Sequence, residues 1–167
     1  ANLSNNAGAS FSSQVAVSGV IVFVTWHDDT PGNLDILMKR SINSGGSFQA
    51  VKNLSNNAGS SINPQVATSG DNVYFTWQDF TPSNWEIFLR RSADDGATLQ
   101  PLVKLSNNEG ASKFPQVATF GANVYVIWQD NSPGNNEIIE RRSHDNGATW
   151  QSTQNLSSNA GSSELPQ

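Results

Sequence analysis

The sequence predicts an all-β protein that is built from repeated four-stranded units. The chain of 167 residues aligns with itself at a shift of 51 without a gap, so that Leu3 coincides with Leu54 and Trp26 with Trp77. Each unit holds short segments of β-branched and aromatic residues that are separated by Gly, Pro and Asn. No segment has the i, i+3, i+4, i+7 apolar spacing of an amphipathic helix. We therefore expect helices to be nearly absent.

The second unit illustrates the order of the strands. Its predicted strands are, in chain order, 64–68, 72–78, 86–91 and 98–105. Gly70 lies in the first turn, the segment 79–84 supplies Pro and Asn for the second, and Gly96 lies in the third. The segment 106–113 is rich in Ser and Asn and connects to the next unit. Four antiparallel strands per unit are typical of the blade of a β-propeller.

The second strand of the unit is apolar on both faces. Val73, Phe75 and Trp77 alternate with Tyr74 and Thr76, and this pattern suits a sheet that lies between two neighbouring sheets. The tryptophans at the repeated position, which are Trp26, Trp77 and Trp128, are therefore expected in the core between blades.

We divide the chain as a single repeat domain, 1–167, with three blades. Residues 1–10 are a tail equivalent to a fourth strand and its connection, and residues 164–167 begin a further unit. The predicted blades are 11–61, 62–112 and 113–163.

The turn between the third and fourth strands carries a repeated motif. The segment 143–150 reads SHDNGATW and matches the pattern S-x-D-x-G-x-T-W in full, 92–99 lacks only the aromatic residue, and 41–48 is a degenerate copy. An Asp or Asn side chain here can accept N–H bonds across its own turn, and Gly can adopt a positive φ. We assign the following residues to structure: Ser41, Asn43, Gly45, Ser92, Asp94, Gly96, Ser143, Asp145, Gly147 and Trp150.

These three turns resemble the Asp box, and over all three units the chain resembles the Asp-box (BNR-repeat) propellers of the sialidase type. The resemblance implies a propeller fold. It implies hydrolysis only if the chain also has the arginine triad, the tyrosine nucleophile with its glutamate and the acidic proton donor of sialidases. Such groups stand at unique positions, whereas the candidates here are repeated. They are Arg40, Arg91 and Arg142; Asp35, Glu86 and Glu137; and Tyr74 and Tyr125.

Near-identical blades do not readily separate the pKa values of an acid and a base, as hydrolysis requires. The chain has no Cys, and His27 and His144 occupy non-equivalent positions. We therefore name no catalytic residue and expect that the chain is not an enzyme. A sialidase-like glycoside hydrolase fragment is kept as the alternative.

The composition excludes other classes of partner. With 9 Lys and Arg against 14 Asp and Glu, the net charge is −5, so no basic surface is available for nucleic acid or an anionic membrane. No transition-metal spacing and no phosphate-binding glycine loop occur. The composition leaves the compartment open, and we favour an extracellular or periplasmic location.

Polar loops at one end of the propeller are the candidate ligand site. The turns after the second strands and the connections between blades should meet there, and their amides and carboxylates suit sugar hydroxyls. The candidates are Asp28, Asn33, Asp79, Asn84, Asp130, Asn135, Asn56, Asn57, Asn107 and Asn108. Asp28, Asp79 and Asp130 could alternatively hold calcium, and a purely structural role for these loops also stays open. No other cofactor is expected.

Three blades do not close a ring, since propellers have about four to eight blades. We expect a homodimer that closes a six-bladed ring. Residues 154–167 repeat residues 1–14, so one of the two copies should be displaced at each junction between chains. The function that these patterns favour is a non-catalytic binding or scaffold module with a carbohydrate or other polar ligand, the second alternative being a purely structural, designed or amplified self-assembling propeller.

Overall fold

A computed structural model describes residues 2–81 and 83–167. The described chain is all-β and forms three four-stranded antiparallel sheets, each in the strand order of the sequence. Blade 1 consists of β1 (Ser10–Ser18), β2 (Ile21–Asp28), β3 (Asp35–Ser41) and β4 (Lys52–Asn53). Blade 2 consists of β5 (Ser61–Ser69), β6 (Asn72–Asp79), β7 (Glu86–Ser92) and β8 (Val103–Lys104). Blade 3 consists of β9 (Ser112–Phe120), β10 (Asn123–Asp130), β11 (Glu137–Ser143) and β12 (Gln154–Asn155).

The sequence therefore predicts the fold class and the strand count correctly, with two differences in detail. The first strand of each blade begins earlier than expected, because it continues through a bulge. In β5 the register shifts between Ile62 and Gln65, and Asn63 has a φ of 54°. The fourth strands are only two residues long, since the rest of the expected segment bonds the third strand only at isolated residues, as where the Gln100 N–H donates to the Arg91 carbonyl at 2.8 Å.

The blades are stacked through their sheet faces. The inner strands β1, β5 and β9 contact one another in turn, and the core lies between blades. Phe23, Met38 and Leu54 of blade 1 pack on Phe75 and Trp77 of blade 2. The same positions recur at the next junction, where Tyr74, Leu89 and Leu105 pack on Val126 and Trp128. Trp77 and Trp128 are fully buried there, as expected for core between blades.

Each blade thus has two chemically different faces. We call the face that contacts the following blade the forward face and the face that contacts the preceding blade the backward face. In this chain no blade packs on the backward face of blade 1 or on the forward face of blade 3, and we call these two faces uncovered. The N-terminal segment does contact the loop end of blade 1, where the Asn6 amide donates to Asp28 at 2.9 Å. Leu54 and Leu105 on forward faces are 0% and 1% exposed, whereas the equivalent Leu156 is 54% exposed.

The two ends of the sheets also differ. At the loop end, the turns between second and third strands meet the connections between blades, and the Asn33 side chain donates to the Asn57 carbonyl at 3.1 Å. At the turn end, the repeated motif lies beside the first turn of its blade, and the Ser44 N–H donates to the Val20 carbonyl at 2.8 Å. The ends are therefore assigned as the sequence predicts.

The repeated turns form local hydrogen-bond networks. In the second, Asp94 accepts the Thr98 N–H at 2.8 Å and the Thr98 hydroxyl at 2.7 Å, while the Gly96 N–H donates to Ser92 Oγ at 2.9 Å. Hydrogen bonds from Ser92 and Thr98 lower the pKa of Asp94 to about 2. Gly96 has a φ of 78° and lies against the ring of Phe23 in the preceding blade. In blades 2 and 3 this turn therefore both closes a hairpin and contacts the preceding blade.

No helix in the described part of the chain has the length and apolar character needed to cross a membrane. The pairing of two chains into six blades stays a prediction, because the structure describes a single chain. The boundaries between the blades, at residues 61/62 and 112/113, also stay a prediction.

Candidate functional site

A buried carboxylate anchors the loop end of each blade. Asp79 ends β6 and is 1% exposed. Its Oδ2 accepts hydrogen bonds from the Asn57 amide at 2.7 Å, the Ser61 hydroxyl at 2.7 Å and the Trp77 indole at 3.1 Å. Its Oδ1 accepts the Thr81 N–H at 2.8 Å and the Thr81 hydroxyl at 2.5 Å. Each oxygen therefore has at least two donors, and Asp79 joins the connection, the first strand and the second strand.

Asp28 and Asp130 repeat this arrangement in the other blades. Asp130 Oδ2 accepts from Asn108 at 2.9 Å, Ser112 at 2.6 Å and Trp128 at 3.0 Å. Burial alone would raise the pKa of Asp79 and of Asp130, but these hydrogen bonds outweigh it and hold both pKa values below the usual range. The carboxylates are ionised at neutral pH, and their hydrogen-bonding capacity is directed into the protein.

The predicted amide groups are used in the same way. Asn33, Asn84 and Asn135 each donate to the carbonyl of a connection glycine, and Asn84 also donates to the Asn108 carbonyl at 3.3 Å. Asn57 accepts the Gly59 N–H at 2.9 Å while it donates to Asp79. These amides therefore tie each turn to the neighbouring connection.

Three of the ten predicted residues are exposed, namely Asn56, Asn107 and Asn108. Asn107 Oδ1 accepts from Lys104 Nζ at 2.7 Å. The structure does not bring Asp28, Asp79 and Asp130 together, since each belongs to its own blade, and the described residues contain no group of three or more His, Asp or Glu side chains arranged for a metal ion.

The repeated arginine and acidic rows lie at opposite ends of the blades. The Arg91 guanidinium donates to the Asn146 carbonyl at 2.6 Å, at the turn end of the next blade. Glu86 is 2% exposed at the loop end and accepts the Ser106 hydroxyl at 2.5 Å, with Lys104 Nζ at 3.3 Å. The acidic row therefore neither pairs with the arginines nor faces solvent. It joins the third strand to the chain after the fourth strand.

An aromatic pair at the loop end of blade 2 is the feature that sequence reasoning missed. Phe80 is 44% exposed, and its ring centroid lies 5.2 Å from that of the half-buried Trp85. Backbone hydrogen bonds hold both residues: the Phe80 N–H donates to Ser60 at 2.9 Å, and the Trp85 carbonyl accepts from Ser112 at 2.8 Å. We call Phe80 and Trp85 the aromatic platform.

The signal that could have found the platform is departure from the repeat. Asp29 and Asn131 occupy the position of Phe80 in the other blades, and Leu34 and Asn136 occupy that of Trp85. Two adjacent surface positions thus become aromatic together in one blade only. A structural role shared by all blades cannot explain this difference.

His27 is a second departure from the repeat, and it is buried rather than exposed. Gln78 occupies the equivalent position and accepts the Phe114 N–H of the next blade at 2.8 Å. His27 is 8% exposed, stacks on Phe11 with centroids 5.4 Å apart, and its Nδ1 has no hydrogen-bond partner. Burial lowers the pKa of His27, although the Asp28 carboxylate partly opposes this shift.

Comparison with known proteins identifies the fold. No family model matches the chain, and no curated protein sequence matches it. Among solved structures, a Trypanosoma rangeli sialidase with a covalently bound difluorosialic acid aligns with a TM-score of 0.64 at 15% identity, over 87% of this chain and 31% of that one. A thermostable family-43 glycoside hydrolase aligns with a TM-score of 0.60 at 16% identity, over 95% of this chain and 58% of that one.

A Bacteroides ovatus xyloglucan GH43B aligns with a TM-score of 0.56 at 14% identity, over 86% of this chain and 28% of that one. The chain spans less than two thirds of each of these proteins. The expectation that the chain is not an enzyme is contradicted by this comparison, because its structural neighbours are glycoside hydrolases. At such low identity the likeness shows the fold and no individual activity, and membership of the Asp-box family stays a prediction. The chain has an all-β propeller fold that is similar to the fold of these proteins.

Proposed function

We propose that this chain holds a carbohydrate at its loop end, on the aromatic platform of Phe80 and Trp85, as part of a carbohydrate-active propeller. The observation that carries the proposal is the platform itself: two adjacent aromatic residues, one of them 44% exposed, at positions that are Asp, Asn or Leu in the other blades. Exposed aromatic residues that no repeated structural role requires mark an interaction site.

The chemistry of the platform suits a sugar ring. One face of a pyranose presents C–H groups, and an aromatic ring of large area can cover that face while the hydroxyls at its edge stay in water or bind polar groups. Asn84 links the turn of the platform to the connection at Asn108, and this connection carries the exposed amide of Asn107 and the exposed carboxylate of Glu109. Polar groups for the hydroxyls therefore stand on the element next to the platform.

The identity of the structural neighbours supports the ligand class. The sialidase and the GH43 proteins are named as glycoside hydrolases or with sugar ligands. The neutral polar surface and the net charge of −5 disfavour nucleic acid. The predicted Asp and Asn set is not the ligand set in this proposal, because most of its members are hydrogen bonded within the protein.

Glycan binding is tested by a glycan array, followed by titration of the responding saccharide against the wild-type chain and against Phe80→Ala and Trp85→Ala. Each variant should weaken binding about tenfold or more, as expected for truncation of an aromatic anchor. Phe120→Ser is the matched control: Phe120 is 80% exposed at the turn end, and Ser stands at its position in the other blades. Equal binding by wild type and both platform variants, or no glycan bound by the wild type, would remove the proposal.

Hydrolysis on the same face is the second candidate, and the hydrolase neighbours favour it. A retaining or inverting mechanism needs two carboxyl groups that can reach the substrate. Asp29 and Glu109 are exposed carboxylates at the loop end, and both stand at positions that other units do not share. Release of a chromogenic aglycone by wild type that is lost in Asp29→Asn or Glu109→Gln would support this candidate, and no release from a panel of chromogenic glycosides would refute it.

A further inference from the structure

The two uncovered faces of the chain differ from the covered ones at matched positions. On forward faces, Met38 and Leu89 lie in the apolar clusters between blades, but Glu140 stands at their position on the uncovered forward face. On backward faces, Arg90 and Arg141 stand at the position that Lys39 occupies on the uncovered backward face. At these two matched positions the uncovered faces therefore carry opposite charges, Glu140 on one and Lys39 on the other.

These two positions lie on opposite sides of a covered junction. Leu89 belongs to the same apolar cluster as Val126 of the next blade, and Val126 is the cross-strand neighbour of Arg141. Arg141 also donates to the Leu105 carbonyl of the preceding blade at 2.8 Å. Glu140 of one chain and Lys39 of another would occupy these places if the uncovered faces joined in the same geometry.

A second matched change lies at the turn end of the inner strands. The Ser18 hydroxyl donates to the Gly70 carbonyl at 2.9 Å, and the Ser69 hydroxyl donates to the Gly121 carbonyl at 2.8 Å. Phe120 stands at the position of these serines, and it is 80% exposed.

The residue after the glycine whose carbonyl accepts this bond also becomes a larger apolar residue on an uncovered face. Asp71 and Ala122 follow it at the covered junctions, and Val20, which is 56% exposed, follows it in the turn of blade 1. A polar contact at the covered junctions is thus replaced by two exposed apolar side chains on the uncovered faces.

From these changes we infer that the forward face of blade 3 binds the backward face of blade 1 in a second copy of this chain, with Glu140 facing Lys39 and Phe120 packing on Gly19 and Val20. Two such junctions join two chains into a six-bladed ring. The apolar change occurs on both uncovered faces, at Phe120 and at Val20. The ionic change is on the forward face, where Glu140 replaces an apolar residue, and it meets a position that is cationic in every blade. Continuity with the two covered junctions supplies the geometry, and the opposite charges favour this pairing over two like faces.

Sedimentation velocity over a range of protein concentrations tests the inference. The wild-type chain, of 18.0 kDa, should sediment with twice that mass at high concentration. Glu140→Lys and Lys39→Glu should each raise the dissociation constant at least about tenfold, since each places like charges together. The double variant should restore most of the affinity.

Glu109→Lys is the charge-matched control, because Glu109 lies at the loop end away from both faces, and it should leave the dissociation constant unchanged. Circular dichroism establishes whether each variant is folded. Because the two single variants change different faces, one of them still tests the inference if the other fails to fold. A mass of 18.0 kDa at all concentrations, a mass of three or more chains, or a double variant no better than either single variant would overturn the inference.

Discussion

The anchoring carboxylates allow a sharp test of how burial sets the strength of a hydrogen-bond network. Asp79 and Asp28 accept the same set of donors, but the surroundings differ. Ser61, which donates to Asp79, is fully buried, as is Trp77. Ser10 and Asn6, which donate to Asp28, are exposed. Removal of either carboxylate therefore leaves a similar number of donors without an acceptor. Water can replace the carboxylate for most of these donors at Asp28, but not at Asp79.

Asp79→Ala should lower the free energy of unfolding by about 4 kcal/mol, because hydrogen bonds to a charged group contribute about 1.5–3 kcal/mol each in a non-additive way and buried donors are left unpaired. Asp28→Ala should lower it by about 2 kcal/mol. The larger loss corresponds to a melting temperature about 10 °C lower for a chain of this size.

Urea unfolding followed by far-ultraviolet circular dichroism measures both variants, and an unchanged dependence on urea concentration establishes that the extent of unfolding is the same. A loss below about 1 kcal/mol for Asp79→Ala, or equal losses for the two variants, would refute the reasoning from burial.

Two further predictions concern the glycines, which differ in how closely other atoms approach them, and His27, which departs from the repeat. A Cβ atom at Gly59 would lie 2.6 Å from the Thr81 backbone nitrogen, so Gly59→Ala should cost about 3 kcal/mol. Gly70 has a φ of 55° and no atom within 4 Å of its Cβ position, so Gly70→Ala should cost only about 1 kcal/mol. Thermal denaturation measures the stability of both variants. A larger loss for Gly70→Ala than for Gly59→Ala would contradict the argument from the close approach of Thr81 to Gly59. Because burial lowers the pKa of His27, the unfolded chain binds more protons, and the free energy of unfolding should fall as the pH decreases from 7.5 through the ordinary His value near 6.5 to 5.5. His27→Gln should reduce this slope in urea titrations at each pH, and an unchanged slope would exclude His27 as its source.

The sequence predicts the blades well because they depend on periodic, short-range information. Alternating apolar residues, turn residues and the repeat each act within one unit, and Trp77 and Trp128 lie in the core as expected. The carboxylates are different: the donors to Asp79 include residues that are 18 and 22 positions away in the chain. The sequence therefore does not reveal that polar residues near a predicted turn are already hydrogen bonded within the protein, because their partners are distant in the chain.

The aromatic platform shows the opposite limitation. Phe80 and Trp85 are easily visible in the sequence, but a search for repeated positions discards what differs between repeats. In a chain of near-identical blades, shared residues mostly maintain the common fold, and the differences carry what is particular to one blade or to one surface. Phe80, Trp85, Glu140 and Phe120 are all differences of this kind.

Each junction between blades is fixed at both ends. At the loop end Asn57 binds Asp79, and at the turn end the Thr68 hydroxyl donates to the Val17 carbonyl at 3.0 Å, as Thr119 does to Thr68 at 2.9 Å. The same bonds at successive junctions impose the same rotation from blade to blade, so the arc has constant curvature. The number of blades that completes a circle is then a property of one junction, already determined within a single chain before any partner arrives.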